Sequence, residues 1–444
     1  MKSRALFLLA ALACLPLVGP LCPSKVSYRA GVAVVDITPD VPIYLAGYGA
    51  RLDPATAVLD PLSVRALALA DDEGGRLVLV SADVCGFDPG FAGDIRAEVQ
   101  ASRGLAPEQV MIVATHTHAA PVVQHWTVWD PVMQEPDPAY MALFRASVIA
   151  AIQEAVDTME SAELTFGRGT SEIGYNRRTG DEPYDRTLDV LKVQADDGGG
   201  LAVVFFHGCH PVSLGGIFSV SAEYPGAARD RIEELVGDGA VGIFIQGFGG
   251  DINPRAPEGK YTPEQMVQIG ENLADDVVAV LSGTMEELDG ELEAALAVID
   301  VPMQDPPSEQ EVLDLREQYE GQGGVSAQMM VRWCDLMLEY IAHGTMPDSL
   351  PTPVQVFSAG DSWRLAGVSR EVVTEYGDGV RALWPDRHVT VAGYANEVAS
   401  YLPNAWHISG HHYEGYSSFF WYAQPAPPTL DVYQNVLDGI ADAF

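Results

Sequence analysis

Positive charge is scarce in this chain. Its 444 residues carry 25 Lys and Arg against 62 Asp and Glu, a formal net charge of −37, and only four of the bases are lysines (Lys2, Lys25, Lys192, Lys260). A nucleic-acid partner is excluded as the default, because neutralising phosphates takes clustered bases. A polybasic patch for lipid headgroups is excluded on the same count. Cysteine is also sparse: Cys14, Cys22, Cys85, Cys209 and Cys334 stand too far apart for a disulfide scaffold. They are expected as buried thiols, with one incidental bridge as the alternative. Repeats and Gly/Ser or Pro linkers are absent, which favours one large domain over two. With 48% hydrophobic and 20% charged residues, a sizeable core is available despite the acidic excess.

The N-terminus reads as an export leader. Lys2 and Arg4 precede an apolar stretch at 5–18 that is short for a bilayer span. No later window looks apolar enough to cross a membrane. The leader is expected to cover 1–21, or 1–13 if cleavage follows Ala13; the latter leaves either a soluble chain or a lipid anchor on Cys14.

Near-continuous apolar runs at 76–83, 110–115, 201–207 and 240–246 read as buried strands. Helical patterns at 94–102, 139–159, 227–235 and 263–281 alternate with them. Beyond these come helices at 307–319 and 327–343, strands at 354–358 and 363–368, a helix at 371–383 and a strand at 388–392. The expected fold is α/β: a mixed, largely parallel sheet sandwiched between helices (α/β/α) in one domain over 26–444, with a helical insertion at about 305–351. Polar residues just past the strand ends then share one edge, where open α/β sheets hold their sites.

Two histidine clusters fall at such ends. Thr115-His116-Thr117-His118 follows the strand at 110–115 and puts imidazoles at i and i+2, on one face if the strand continues. His207-Gly208-Cys209-His210-Pro211 ends another strand. Either cluster alone is as well explained by hydrogen-bonded histidines. Two clusters from ten histidines shift the balance towards a metal, since imidazole is a common zinc ligand.

The sequence here resembles the neutral ceramidase family, secreted zinc amidases that split ceramide into sphingosine and a fatty acid. The resemblance rests on 31–39 (GVAVVDITP), 46–49 (AGYG), Asp60-Pro61-Leu62, Ser81-Ala82-Asp83, the Thr-His-Thr-His run, His210-Pro211-Val212-Ser213, 221–226 (SAEYPG) and 250–254 (GDINP). It extends from about Ala30 to the region of Tyr413-Glu414-Gly415, and no counterpart of the family's immunoglobulin-like second domain is expected. It implies one Zn²⁺ per chain held by His116, His210, Glu371 and Tyr401. Glu371 is matched within Ser369-Arg370-Glu371, where Arg370 replaces the family's usual Gly; Tyr401 is matched within Ala399-Ser400-Tyr401. On its own, Glu371 reads as a helix N-terminal acid and Tyr401 as a buried aromatic. A phenolate is an uncommon zinc ligand, with a reference pKa of about 10.

The resemblance further implies His118, Arg177 and Tyr413 as groups acting on the transition state, with Arg178 and His412 as neighbouring reserves. Where ceramidases carry Ser inside Gly-Asp-x-Ser-Pro, this chain has Asn253, which can donate or orient but cannot be an activated hydroxyl. The expected function is an exported, zinc-dependent hydrolase cleaving an N-acyl amide, lipid or small molecule, through a metal-activated water. The alternatives are the same site acting on a polar N-acyl compound or an ester, and a non-catalytic surface binding protein that keeps the fold.

Overall fold

The computed structural model describes residues 25–130, 135–256 and 261–444. The expected leader, with Cys14 and Cys22, lies outside the described residues. The main strands and helices, in chain order, are β1 (Tyr28–Asp36), β2 (Ser63–Asp71), β3 (Arg76–Ala82), α1 (Phe91–Arg103), β4 (Val110–Ala114), α2 (Pro138–Asp157), β5 (Glu160–Thr170), β6 (Thr187–Ala195), β7 (Gly200–His207), α3 (Glu223–Val236), β8 (Val241–Gln246) and α4 (Pro263–Leu281). There follow β9 (Leu292–Pro302), α5 (Glu309–Tyr319), α6 (Val325–His343), β10 (Ser349–Ala359), β11 (Trp363–Val368), α7 (Tyr376–Ala382), β12 (His388–Ala392) and α8 (Val432–Ala443).

A nine-stranded sheet runs β8-β7-β6-β5-β1-β2-β3-β4, with Glu286–Glu287 pairing on β5. A four-stranded sheet runs β9-β10-β11-β12. The chain is thus mixed α/β, as expected, but two details change. Along the main path only β7/β8 and β3/β4 are parallel; the pairs between β7 and β3 are antiparallel, so the sheet is not largely parallel. The expectation came from strands buried on both faces; β1 and β5 alternate buried and exposed positions and escape that pattern. The layering is also helices, sheet, sheet, helices rather than α/β/α. One face of the main sheet packs on α1 and α2 through Ile95, Val99, Phe144 and Val148, and on α3 and α4 through Tyr224, Ile232, Leu273 and Val277. The other face packs Leu67, Leu79, Val204 and Ile245 against Phe357, Trp363 and Leu365 of the second sheet. The outer face of that sheet takes α7 and α8 through Val380, Val436 and Ile440.

The main sheet curls so that its edge strand β8 reaches β3, one strand in from the other edge: the Ser81 hydroxyl at the end of β3 donates to the Phe244 carbonyl of β8 at 2.6 Å. Chain segments following β4, β7 and β8 therefore converge, although the strands between them run antiparallel. Contrary to the expected lack of apolar windows, α2 is long and apolar enough to cross a membrane by length and composition. Its Tyr140, Phe144, Val148 and Ile152 instead line the core. Helices α5 and α6 stand between the paired strands β9 and β10. Ser308 and Glu311 form a capping box that starts α5. Trp333 and Met337 of α6 pack with Trp129, Phe420 and Trp421 into a separate apolar cluster.

Candidate metal centre

His116 stands two residues beyond β4, but the strand does not continue through it. Its φ is +66°, and its N–H donates to the Val84 carbonyl at 3.0 Å. The expected i, i+2 strand face is therefore replaced by a turn that folds the two imidazoles together, with Nε2 of His118 3.1 Å from Nε2 of His116. The loop is braced from outside. Thr117 Oγ1 donates to the Ser221 carbonyl at 2.8 Å, and an Arg51 guanidinium nitrogen donates to the His118 carbonyl at 2.9 Å.

His210 follows β7, and its N–H donates to the Ile252 carbonyl at 2.9 Å. Glu371 follows β11 but does not open a helix, as the sequence suggested. Glu371–Val372 pairs in parallel with Tyr401–Leu402, and α7 starts only at Tyr376. The Glu371 N–H is engaged by the Ser400 carbonyl at 3.0 Å, so tertiary pairing overrides the helical pattern. Arg370 has φ +83°, the conformation that the Gly of the family would adopt freely. Its buried guanidinium anchors the strained turn on Thr352 Oγ1 (3.0 Å) and Ser400 Oγ (2.9 Å).

Nε2 of His210 lies 2.9 Å and Nε2 of His116 3.2 Å from the same carboxylate oxygen, Glu371 Oε2. The three side chains are buried, with ligand atoms all within 4.8 Å of one another. The opposite ring nitrogens are occupied: Nδ1 of His116 faces the Cys85 carbonyl at 2.5 Å, and Nδ1 of His210 faces the Gly249 carbonyl at 2.6 Å. Such backbone partners fix the tautomer that turns Nε2 to a metal, as in established zinc sites. Burial, the largest single influence, raises the Glu371 carboxyl, but His116 and His210 together outweigh it and hold the pKa well below the usual carboxylate range. An ionised carboxylate between two oriented imidazoles fits a divalent cation.

Tyr401 lies directly across the short ladder from Glu371, its ring parallel to that of His210 at 6.5 Å. Its hydroxyl accepts from Arg177 at 3.1 Å, and burial raises its pKa well above the ordinary phenol value. A phenolate there would need a cation beside it. Arg177 is the hub of the second half of the site. It also donates to Glu414 at 2.7 Å and lies 3.5 Å from Asn253 Oδ1, and its guanidinium sits 5.8 Å from the Tyr413 ring. His116, His118, His210 and Glu371 thus form one cluster; Arg177, Tyr401, Asn253 and Tyr413 form an adjoining one. Of the reserves, Arg178 shares Glu414 with Arg177 at 2.8 Å and sits 5.8 Å from the Tyr413 ring, whereas His412 lies to the side, stacked on Trp406 at 4.1 Å. His207 is a satisfied core histidine, held by Tyr184 at 2.7 Å and the Thr187 carbonyl at 3.0 Å.

Sequence reasoning missed several supports. Tyr422 donates its hydroxyl to the second oxygen of Glu371, and no motif marked it. Asp251 takes the Thr374 N–H (2.8 Å) and the Asn176 side chain (2.6 Å), tying the turn after β8 to both halves of the site. Its signal was its place inside the quoted 250–254 motif, as was that of Glu414 beside Tyr413. Burial and the neighbouring imidazoles of His116 and His210 keep His118 well below the ordinary histidine pKa.

Comparison with known proteins gives the family and the fold. Residues 28–284 match the N-terminal pattern of neutral/alkaline non-lysosomal ceramidases. Neutral ceramidase of Drosophila pseudoobscura pseudoobscura is 24% identical over 258 residues, which is 52% of this chain and 36% of that protein. The Drosophila melanogaster neutral ceramidase is 24% identical over 255 residues, 51% of this chain and 36% of the relative. The chain therefore matches little more than a third of the length of these relatives. Among solved structures, neutral ceramidase from Pseudomonas aeruginosa superposes with a TM-score of 0.75 at 20% identity, covering 94% of this chain and 74% of that one. A ceramidase complexed with C2 gives 0.75 at 19% identity, covering 94% and 75%. The fold is shared across nearly the whole chain, and with the matched pattern over more than half of it, the chain belongs to the neutral/alkaline non-lysosomal ceramidase family.

Proposed function

We propose that this protein is an exported, zinc-dependent hydrolase that cleaves an N-acyl amide. The observation that carries the reading is the convergence of His116 Nε2 and His210 Nε2 on one oxygen of Glu371, with both remaining ring nitrogens held by backbone carbonyls. His116, His210 and Glu371 would hold the ion, and Tyr401 across the ladder from Glu371 would complete a set of four. Zinc in such a site supplies Lewis acidity, bringing the pKa of a water to around 7 and polarising a carbonyl.

The chain's own residues supply the rest. His118 sits beside the ligands with Nδ1 unpaired among the described residues, and serves to take the proton of the attacking water and return it to the leaving amine. Arg177 holds a fixed positive charge next to Tyr401 and Tyr413, where it and the Tyr413 hydroxyl stabilise negative charge developing on the carbonyl oxygen. With its oxygen turned to Arg177, Asn253 offers the substrate a donor, not a hydroxyl. Export rests on the leader pattern at 1–21 and on the secreted nature that the family resemblance implies.

A cleft of about 530 Å³ includes Tyr422, the partner of Glu371, and is walled by Trp126, Trp421 and Tyr340. Asp88 and His125, paired at 2.6 Å, and Gln424 add polar groups to its lining. That mixed lining, with Asn253 in place of the serine, favours a second reading: a polar N-acyl compound rather than ceramide. The test is hydrolysis of a panel of N-acyl amides and esters, ceramide included, with and without a chelator. Chelator-sensitive release of an amine supports the proposal. Release unaffected by thorough metal removal, or no turnover across the panel by zinc-loaded protein, overturns it.

A further inference from the structure

Beside the first ligand set lies another that shares one member with it. Cys85 Sγ, a ring nitrogen of His116 and one of His118 lie within 4.8 Å of one another. Cys85 is a buried free thiol whose sulfur is 3.8 Å from His116 Nδ1. A tetrahedral ion with metal–sulfur and metal–nitrogen distances of about 2.3 and 2.0–2.1 Å separates its ligand atoms by roughly 3.6 Å; the three ligand atoms, within 4.8 Å of one another, reach that spacing by side-chain shifts of about an ångström. The sulfur sits among Ala46, Val122, Tyr44 and Trp126, which keep bulk water from it. His118 brings a buried Nδ1 that makes no hydrogen bond among the described residues.

We infer that Cys85, His116 and His118 form a second, thiol-bearing metal position for thiophilic cations, and that its occupancy excludes the first. The exclusion follows from His116. Its Nδ1 is engaged by the Cys85 carbonyl at 2.5 Å, so its single remaining nitrogen serves one ion at a time. An ion in the thiol position removes a ligand from the catalytic set and takes His118 out of proton transfer. Thiolate favours soft cations, whereas the carboxylate of Glu371 favours harder ones, so the two positions sort ions by softness. Binding is a simple exchange: the Cys85 S–H gives its proton to solvent as the sulfur–metal bond forms, with no change of oxidation state. The exclusion rests on the proposed role of His116 as a zinc ligand; the thiol position does not need His210 or Glu371.

Cadmium titration of the metal-depleted full-length protein tests this through the ultraviolet thiolate-to-cadmium charge-transfer absorbance. Wild type and His210→Ala should both develop the band at one equivalent, with one proton released, and Cys85→Ser should not. The expected fall in cadmium affinity for His118→Ala exceeds the roughly tenfold loss that follows removal of an outer partner. An unchanged band in Cys85→Ser, or none in wild type, would overturn the inference; so would unaltered cadmium affinity in His118→Ala, a check that does not depend on Cys85→Ser folding. Failure of the first metal centre would show separately, as zinc content that His210→Ala leaves intact.

Discussion

At the scale of single residues, the proposed site depends on the groups that hold its candidate ligands as much as on the ligands themselves. Tyr422 occupies the Glu371 oxygen that faces away from the histidines. Removing its hydroxyl in Tyr422→Phe should weaken zinc binding by about 10- to 100-fold, the usual cost of an outer partner, measured by competition with a chelating dye. Affinity equal to wild type would mean that Glu371 is oriented by its backbone alone. His118→Ala should retain zinc while kcat falls about 10²-fold or more, because it removes a proton-transfer group and no ligand of the first set. Loss of metal together with activity would make His118 a ligand. Glu414 has a different duty. Burial alone would raise its carboxyl, but Arg177 and Arg178 bring it from 4.5 down to about 2. A folded-state pKa below the unfolded one gives stability that is full above about pH 4.5 and is lost as pH falls through about 2, on the order of 3 kcal/mol. In Glu414→Gln the acid limb of the stability curve should flatten across that window in urea titrations; an unchanged limb would remove Glu414 from the account.

At the scale of elements, long-range polar ties fix the sheet on which the proposed ligands stand. Arg229 of α3 makes two bonds, 2.9 and 2.8 Å, to the Asp83 carboxylate just past β3, and both side chains are buried. Arg229→Met leaves that carboxylate unpaired and should cost about 3–5 kcal/mol in urea unfolding; a loss under 1 kcal/mol would contradict the burial argument. The same elements show what a sequence makes legible. Strands β3, β4, β7 and β8 are buried, apolar and followed by polar residues, and they are readable directly. The antiparallel strands β1, β2, β5 and β6 were missed, which made the sheet seem largely parallel. Glu371 was misread as helical because its extended state comes from pairing with Tyr401, 30 positions away in the chain. The histidine pairs were visible as motifs, whereas Glu371 and Tyr401 were reachable only through family resemblance. Tyr422 had no local signal, since its contact with Glu371 is created by tertiary folding alone.

At the scale of the whole molecule, the three proposed ligands come from positions 116, 210 and 371, each after a different strand, two from the main sheet and one from the second. An ion held by all three ties the two sheets together, so folding and metal binding are linked. Free zinc at about 100 times its Kd should stabilise the folded state by about 2.7 kcal/mol, seen as a Tm that falls on chelation and returns with added zinc. A chelator-independent Tm would deny the link. The acidic surface, net −37, serves solubility and disfavours anionic partners. The most direct test of the central claim is elemental analysis of purified wild type and His210→Ala, with circular dichroism to verify that both are folded. The account predicts one zinc per chain in wild type and nearly none in the variant. Equal zinc in both proteins, or none in wild type purified without chelator and supplied with zinc, would contradict it.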